Sequence, residues 1–282
     1  MKVDLNASLI DSEEAFLSVM DSGFLYGYAI YETFYVLHGK VAFFEEHISR
    51  FLQACDFLKI NLKEGFSQLL KDRMKRLIHE NQFQKGRLRF TFSSGTTLPW
   101  TEVVKPTELL SLHPLLNEAN QIRLCISKYK KPTKTVLPPF VKYTANYPSV
   151  LSFREAKERG YDEALLVNSD EFLSEGSFCN LFFISKEGVL KTPSLDCAIL
   201  DGVTRKMIIQ AAKTLGIQIE EGKYRMDELL DAKFIYISSS TRGLMPAVCL
   251  EEKQYDYEEA YIAVETLQKS FLELQETSLT YF

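Results

Sequence analysis

Apolar and polar residues alternate from position 30 to 37 (IYETFYVL), break at His38-Gly39, and give way to VAFF at 41–44, the pattern of a β-hairpin. Beyond it Ile48, Phe51, Leu52, Cys55 and Leu58 recur at intervals of three and four, which predicts an amphipathic helix over 45–58. A second helix is expected over 63–82. Gly86 then opens RLRFTFSS, a strand with Leu88, Phe90 and Phe92 on one face, and ELLSLHPL at 108–115 predicts another. The stretch 129–140 (YKKPTKTVLPPF) sets three prolines among lysines and hydroxyls, the composition of an irregular connection. After it come an expected helix at 148–159, strands at 163–168 and 180–185, a helix at 203–215, a strand at 233–238 and a last helix near 257–275. Both halves read as mixtures of helix and strand. The expected organisation is a smaller α+β domain over 1–128, a connection over 129–141 and a larger domain over 142–282.

Composition narrows what such a chain does. It has 282 residues, 46% of them hydrophobic and 25% charged, with a net charge of −5. That balance supplies neither the basic footprint of a nucleic-acid binder nor a polybasic membrane anchor, so small molecules and other protein chains are the expected partners. The amino terminus lacks the apolar core of a signal peptide and no apolar run approaches a bilayer span, so the expected location is cytoplasmic. Cys55, Cys125, Cys179, Cys197 and Cys249 are odd in number and widely spaced, and read as reduced, mostly buried thiols. The four histidines show no metal-ligand spacing, and no metal site is expected.

The sequence holds no GxGxxG, Walker loop, HExxH or GxSxG. Residues 201–205 (DGVTR) precede an apolar helical run, so Gly202, Val203 and Thr204 present backbone N–H groups either as a plain helix start or to an anion such as a phosphate. Ser238 to Thr241 follow the apolar run FIYI and form either a solvated turn or a cluster of hydroxyl donors. Glu175 and Asn180 bracket a loop before another apolar strand. Lys142, just after the proline-rich stretch and among aromatic residues, is either a solvated charge or an amine able to form a Schiff base.

In order along the chain, these segments resemble the fold-type IV family of pyridoxal-phosphate enzymes. The resemblance is carried by Asp21-Ser-Gly23-Phe-Leu-Tyr-Gly27-Tyr-Ala-Ile-Tyr31-Glu32-Thr33, by Glu46-His47-Ile-Ser-Arg50-Phe, and by the segments around Lys142, Glu175, Leu200 and Ser240. It implies a two-domain, mixed α and β fold like that of D-amino acid aminotransferase, with pyridoxal 5'-phosphate as cofactor. It assigns Lys142 as the Schiff-base lysine, Glu175 as partner of the pyridine nitrogen, Leu200 as the residue packed against the ring, and Arg50, Val203, Thr204, Ser240 and Thr241 as phosphate ligands. Asn180 takes a supporting position beside them. Tyr31 and Tyr28 fall on the substrate side, where Tyr28-Ala29 departs from the acidic residue and glycine common in the family. A homodimer is also implied, and the aromatic stretch from Phe24 to Tyr35 is a candidate for its surface.

Three branches share that cofactor site. Tyr147, five residues after the lysine, resembles the tyrosine that meets the ring oxygen in branched-chain aminotransferases, which favours amino-group transfer between an L-branched-chain-like amino acid and a 2-oxo acid. The alternative is 4-amino-4-deoxychorismate lyase, which releases pyruvate and 4-aminobenzoate and which the motifs YETF and ILDGVTR also resemble. D-amino acid aminotransferase ranks third, since Thr97-Leu-Pro-Trp100 stands where that branch carries an Arg and a His.

Overall fold

The computed structural model describes residues 1–103, 105–115, 119–133 and 137–280. Two compact units emerge, one of Met1–Asn117, Phe140–Ala145 and Gln275–Phe282, the other of Glu118–Pro139 and Asn146–Leu274.

In the first unit β1 (Lys2–Leu5), β2 (Ser8–Asp11), α1 (Ser22–Tyr26), β3 (Ala29–Leu37), β4 (Lys40–Val41), α2 (Phe44–Phe57), α3 (Phe66–Glu80), β5 (Lys85–Ser93) and β6 (Thr107–His113) follow in chain order. The strands form an antiparallel sheet in the order β2-β1-β6-β5-β3-β4. Strict alternation along β3 buries Ile30, Glu32, Phe34 and Val36 and leaves the intervening residues partly exposed. That buried face, with Leu88, Phe90 and Phe92 of β5, packs on Phe44, Ile48 and Phe51 of α2 and Leu70, Met74 and Leu77 of α3. Each fully buried phenylalanine contributes about 2 kcal/mol through lost water contact. His38 and Gly39 both have positive φ, 52° and 68°, which fits the twist of a two-residue hairpin.

Because Phe43 also adopts a left-handed conformation and α2 starts at Phe44, the returning strand stops at Val41 and not at residue 44. The short β4 covers only the end of β3. Residues 142–144 take the open edge near its start, where Tyr31 N donates to Lys142 O at 2.8 Å and Thr144 N to Ala29 O at 2.9 Å.

The second unit contains β7 (Ile122–Ile126), α4 (Tyr147–Glu158), β8 (Glu163–Val167), β9 (Leu173–Gly176), β10 (Asn180–Ile184), β11 (Leu190–Pro193), α5 (Val203–Thr214), β12 (Ile219–Gly222), α6 (Met226–Leu230), β13 (Phe234–Ser239), β14 (Gly243–Leu250), β15 (Lys253–Gln254) and most of α7 (Tyr257–Thr277). Its mixed sheet runs β12-β11-β10-β13-β14-β7-β8-β9, with β15 on β14. Apolar residues from neighbouring strands, among them Leu124, Leu165, Leu181, Phe183, Ile235 and Ile237, make its core. A tight turn, closed by Gly176 N donating to Cys179 O at 2.8 Å, leads β9 straight into β10.

The units divide the chain differently from the boundaries expected at 128 and 142. Parallel pairing of β7 with β14 and β8 ties residues 122–126 to the second unit, whereas the edge bonding to β3 ties Lys142 to the first. Thr280 returns to the first unit through a bridge with Val41. Within the connection expected at 129–141, residues 134–136 lie outside the described residues; Lys131 is bridged to Asn168 and is not irregular chain. All five cysteines are free and buried, and no helix among the described residues is long and apolar enough to cross a membrane.

Candidate active site

Arg50 projects from α2 onto the buried face of β3, where Nε donates to Glu32 Oε1 at 2.9 Å and Nη2 bonds Oε2. His47, one turn earlier, places Nδ1 2.8 Å from the same Oε2. The three side chains are almost completely buried. Burial alone would raise the Glu32 pKa, yet the Arg50 charge and the His47 hydrogen bond outweigh it and hold the carboxyl at about 2. Burial, reinforced by the Arg50 and Lys142 charges, pulls His47 below its usual value, so the ring is neutral at pH 7 and its Nδ1–H donates to Glu32.

Tyr31, one residue before Glu32, lies on the opposite face of β3. The Lys142 Nζ lies 4.8 Å from the centre of its ring and the Arg89 guanidinium 3.6 Å from it. Burial raises the Tyr31 pKa, and the two cations more than reverse this, leaving the phenol easier to ionise than usual. Arg89 was not singled out by sequence; its signal was cross-strand, since it pairs with Thr33 in the β3–β5 register. Tyr28 is partly buried, with its pKa raised by desolvation.

In the second unit Glu175, at the end of β9, is held on both oxygens. Oε2 accepts from Asn180 Nδ2 at 2.8 Å and from Leu200 N at 3.0 Å, and Oε1 meets the ammonium of Lys131. Asn180 Nδ2 also donates to Leu200 O at 2.9 Å, which locks the segment before α5 to the carboxylate and amide. Gly202 follows at the α5 N-cap; a Cβ there would stand 2.0 Å from Asn180 Oδ1, so only glycine permits this approach. No side chain caps α5, and Val203 and Thr204 lie in its first turn. Register pairs Asn180 with Ser238, whose buried Oγ has no hydrogen-bond partner, and Ser240 and Thr241 form the turn between β13 and β14. Tyr147 begins α4 with 73% of its surface exposed.

Lys131 and Glu163 escaped the sequence reading because a lysine in a Lys-Lys-Pro run and an acid at a strand start both resemble solvated charges. Glu163 is buried, with Oε1 accepting from Ala164 N and Ser177 N at 3.0 Å each and Oε2 unpartnered. Desolvation raises its pKa.

These donors suit the group implied by the resemblance. An uncapped helix start approached at glycine, with hydroxyls on a neighbouring turn, matches a phosphate, and a fixed carboxylate matches a protonated ring nitrogen. The fold is that of fold-type IV pyridoxal-phosphate enzymes: the structure superposes on the branched-chain amino acid aminotransferase of Escherichia coli with a TM-score of 0.88 and 21% identity, over 99% of this chain and 96% of that one. The family model for amino-transferase class IV matches residues 29–249, and the chain belongs to that pyridoxal-phosphate-dependent family. A Methanocaldococcus jannaschii protein provisionally named a branched-chain-amino-acid aminotransferase is 28% identical over 98% of this chain and 96% of its own length. The aminodeoxychorismate lyase of Bacillus subtilis is also 28% identical, over 94% of this chain and 92% of its own length.

Proposed function

We propose that this enzyme moves an amino group between an L-branched-chain-like amino acid and a 2-oxo acid, using pyridoxal phosphate. The observation that carries the cofactor reading is the fixed Glu175 carboxylate, tied through Asn180 and Leu200 to the uncapped start of α5. When bound, pyridoxal phosphate supplies an electron-accepting ring that makes bonds at the substrate α-carbon labile. Lys142 is assigned as the amine that anchors it and that afterwards takes and returns the α-proton. Glu175 would hold the proton of the ring nitrogen, and Leu200 would pack against the ring. Arg50, Val203, Thr204, Ser240 and Thr241 are assigned to the phosphate. The positive charge of Arg89, beside Tyr31, offers a partner for a substrate carboxylate. Tyr28 borders the same substrate side.

Aminodeoxychorismate lyase is the second reading, favoured by the 28% identity to the Bacillus subtilis lyase and by the exposure of Tyr147, the residue on which the branched-chain preference leaned. An absorption spectrum of the cofactor-loaded enzyme, taken before and after an L-branched-chain amino acid is added without oxo acid, separates them. Conversion of the visible band to that of the pyridoxamine form is the expected result. A band unmoved by the amino acid, with pyruvate release from aminodeoxychorismate, would establish the lyase instead.

A further inference from the structure

We propose that Lys131 is a positioning residue that holds the Glu175 carboxylate aimed at the cofactor's ring nitrogen, an inference that rests on the cofactor reading above. Adjacent lysines in one run have opposite surroundings. Lys130 reaches Glu171 at the surface, with both side chains about half exposed, whereas the side chain of Lys131 is 11% exposed and meets a Glu175 carboxyl that is 7% exposed. Its backbone is pinned as well: Lys131 N donates to Val167 O at 2.9 Å and Ser169 N donates to Lys131 O at 3.0 Å. The end of β8 therefore fixes where the ammonium can reach.

The two oxygens of Glu175 are thus treated differently. Neutral donors, the Asn180 amide and the Leu200 N–H, fix Oε2 in direction, while the ammonium of Lys131 falls on Oε1. Oε1 is thus anchored by an ion pair and Oε2 by two neutral donors, so removing the ammonium frees one side of the carboxylate and weakens its hold on a ring-nitrogen proton.

The test compares wild type, Lys131→Met, Lys131→Gln and Lys131→Arg, each loaded with pyridoxal phosphate labelled with nitrogen-15 in the ring. In wild type and Lys131→Arg the ring-nitrogen resonance is expected in the protonated range; in Lys131→Met and Lys131→Gln it is expected in the neutral range, with kcat down about tenfold or more and KM little changed. Thermal melting of the same samples reports folding, and the glutamine variant serves if the methionine variant does not fold. A protonated resonance retained in a folded Met or Gln variant overturns the role of Lys131 and leaves the cofactor reading intact. Failure of the wild type to take up the cofactor overturns both.

Discussion

Glu32 and Arg50 carry opposite charges into a layer otherwise built of phenylalanine, leucine and methionine, and each is tolerable there only because of the other. Replacing Glu32 with alanine removes the carboxylate that faces a buried guanidinium and is expected to cost about 3–5 kcal/mol in a denaturant titration. The same pair sets a pH dependence. Glu32 has a folded pKa of about 2 against an unfolded value near 4.5, so its contribution is complete above the unfolded value and is lost as pH falls toward 2. His47, held neutral by burial, shifts in the same sense, beginning as pH drops below 6.5. Melting temperature should therefore fall steadily from pH 6.5 downward, and Glu32→Gln should flatten the part below 4.5. Glu163 has the opposite sign: its raised pKa favours the fold at low pH and weighs against it as pH rises through the unfolded value. Glu163→Gln, which keeps an acceptor for Ala164 N and Ser177 N, should raise the melting temperature at pH 7 relative to wild type; a lower value would show that the acid is ionised and stabilised in place.

At the scale of elements, the segment from Leu200 to Thr204 shows how backbone bonds and one missing Cβ build a candidate phosphate cradle. Gly202→Ala must push Asn180 away, because the new carbon would fall 2.0 Å from its Oδ1. Weaker binding of pyridoxal phosphate with α5 still folded, read by equilibrium dialysis and circular dichroism, is expected; unaltered affinity would separate Asn180 from the site. Elements with a strong period were legible in the sequence: β3, α2, β5, α5 and α7 fall within a few residues of the pattern. Within α2 the apolar stripe misled in detail, since Leu52 is 39% exposed while His47 and Arg50 are buried. A period records which face is inside, and these polar residues share the buried parity because Glu32 opposite them does too. Strand β14 escaped because Pro246 stands inside it. The structure accommodates that proline just before Ala247, where pairing with β7 begins and the register then shifts. For the candidate site, the sequence offered only residues on recognisable motifs; Lys131, Glu163 and Arg89 gave no such signal, because their surroundings come from neighbours distant in sequence.

For the whole molecule, each unit has its own core, and the chain passes between units at residues 117–118, 139–140, 145–146 and 274–275. The first unit leaves large apolar side chains exposed: Phe16 is 80% exposed, Val19 71%, Phe24 73% and Trp100 72%, the last with its ring edge-on to Tyr26. In strand β3, Ile30, Phe34 and Val36 are core, and the intervening residues are partly exposed. If two copies associate through these side chains, as the family resemblance implies, sedimentation should give twice the chain mass of 32.4 kDa, with Phe24→Asp and Trp100→Asp together shifting it toward one chain. A wild type that sediments as a single chain would assign these side chains another partner. The central claim, that Lys142 holds pyridoxal phosphate, is tested most directly by reducing the loaded enzyme with borohydride and mapping the labelled peptide by mass spectrometry. A single phosphopyridoxyl group on Lys142 is the expected result; a label on another lysine, or none, would contradict it.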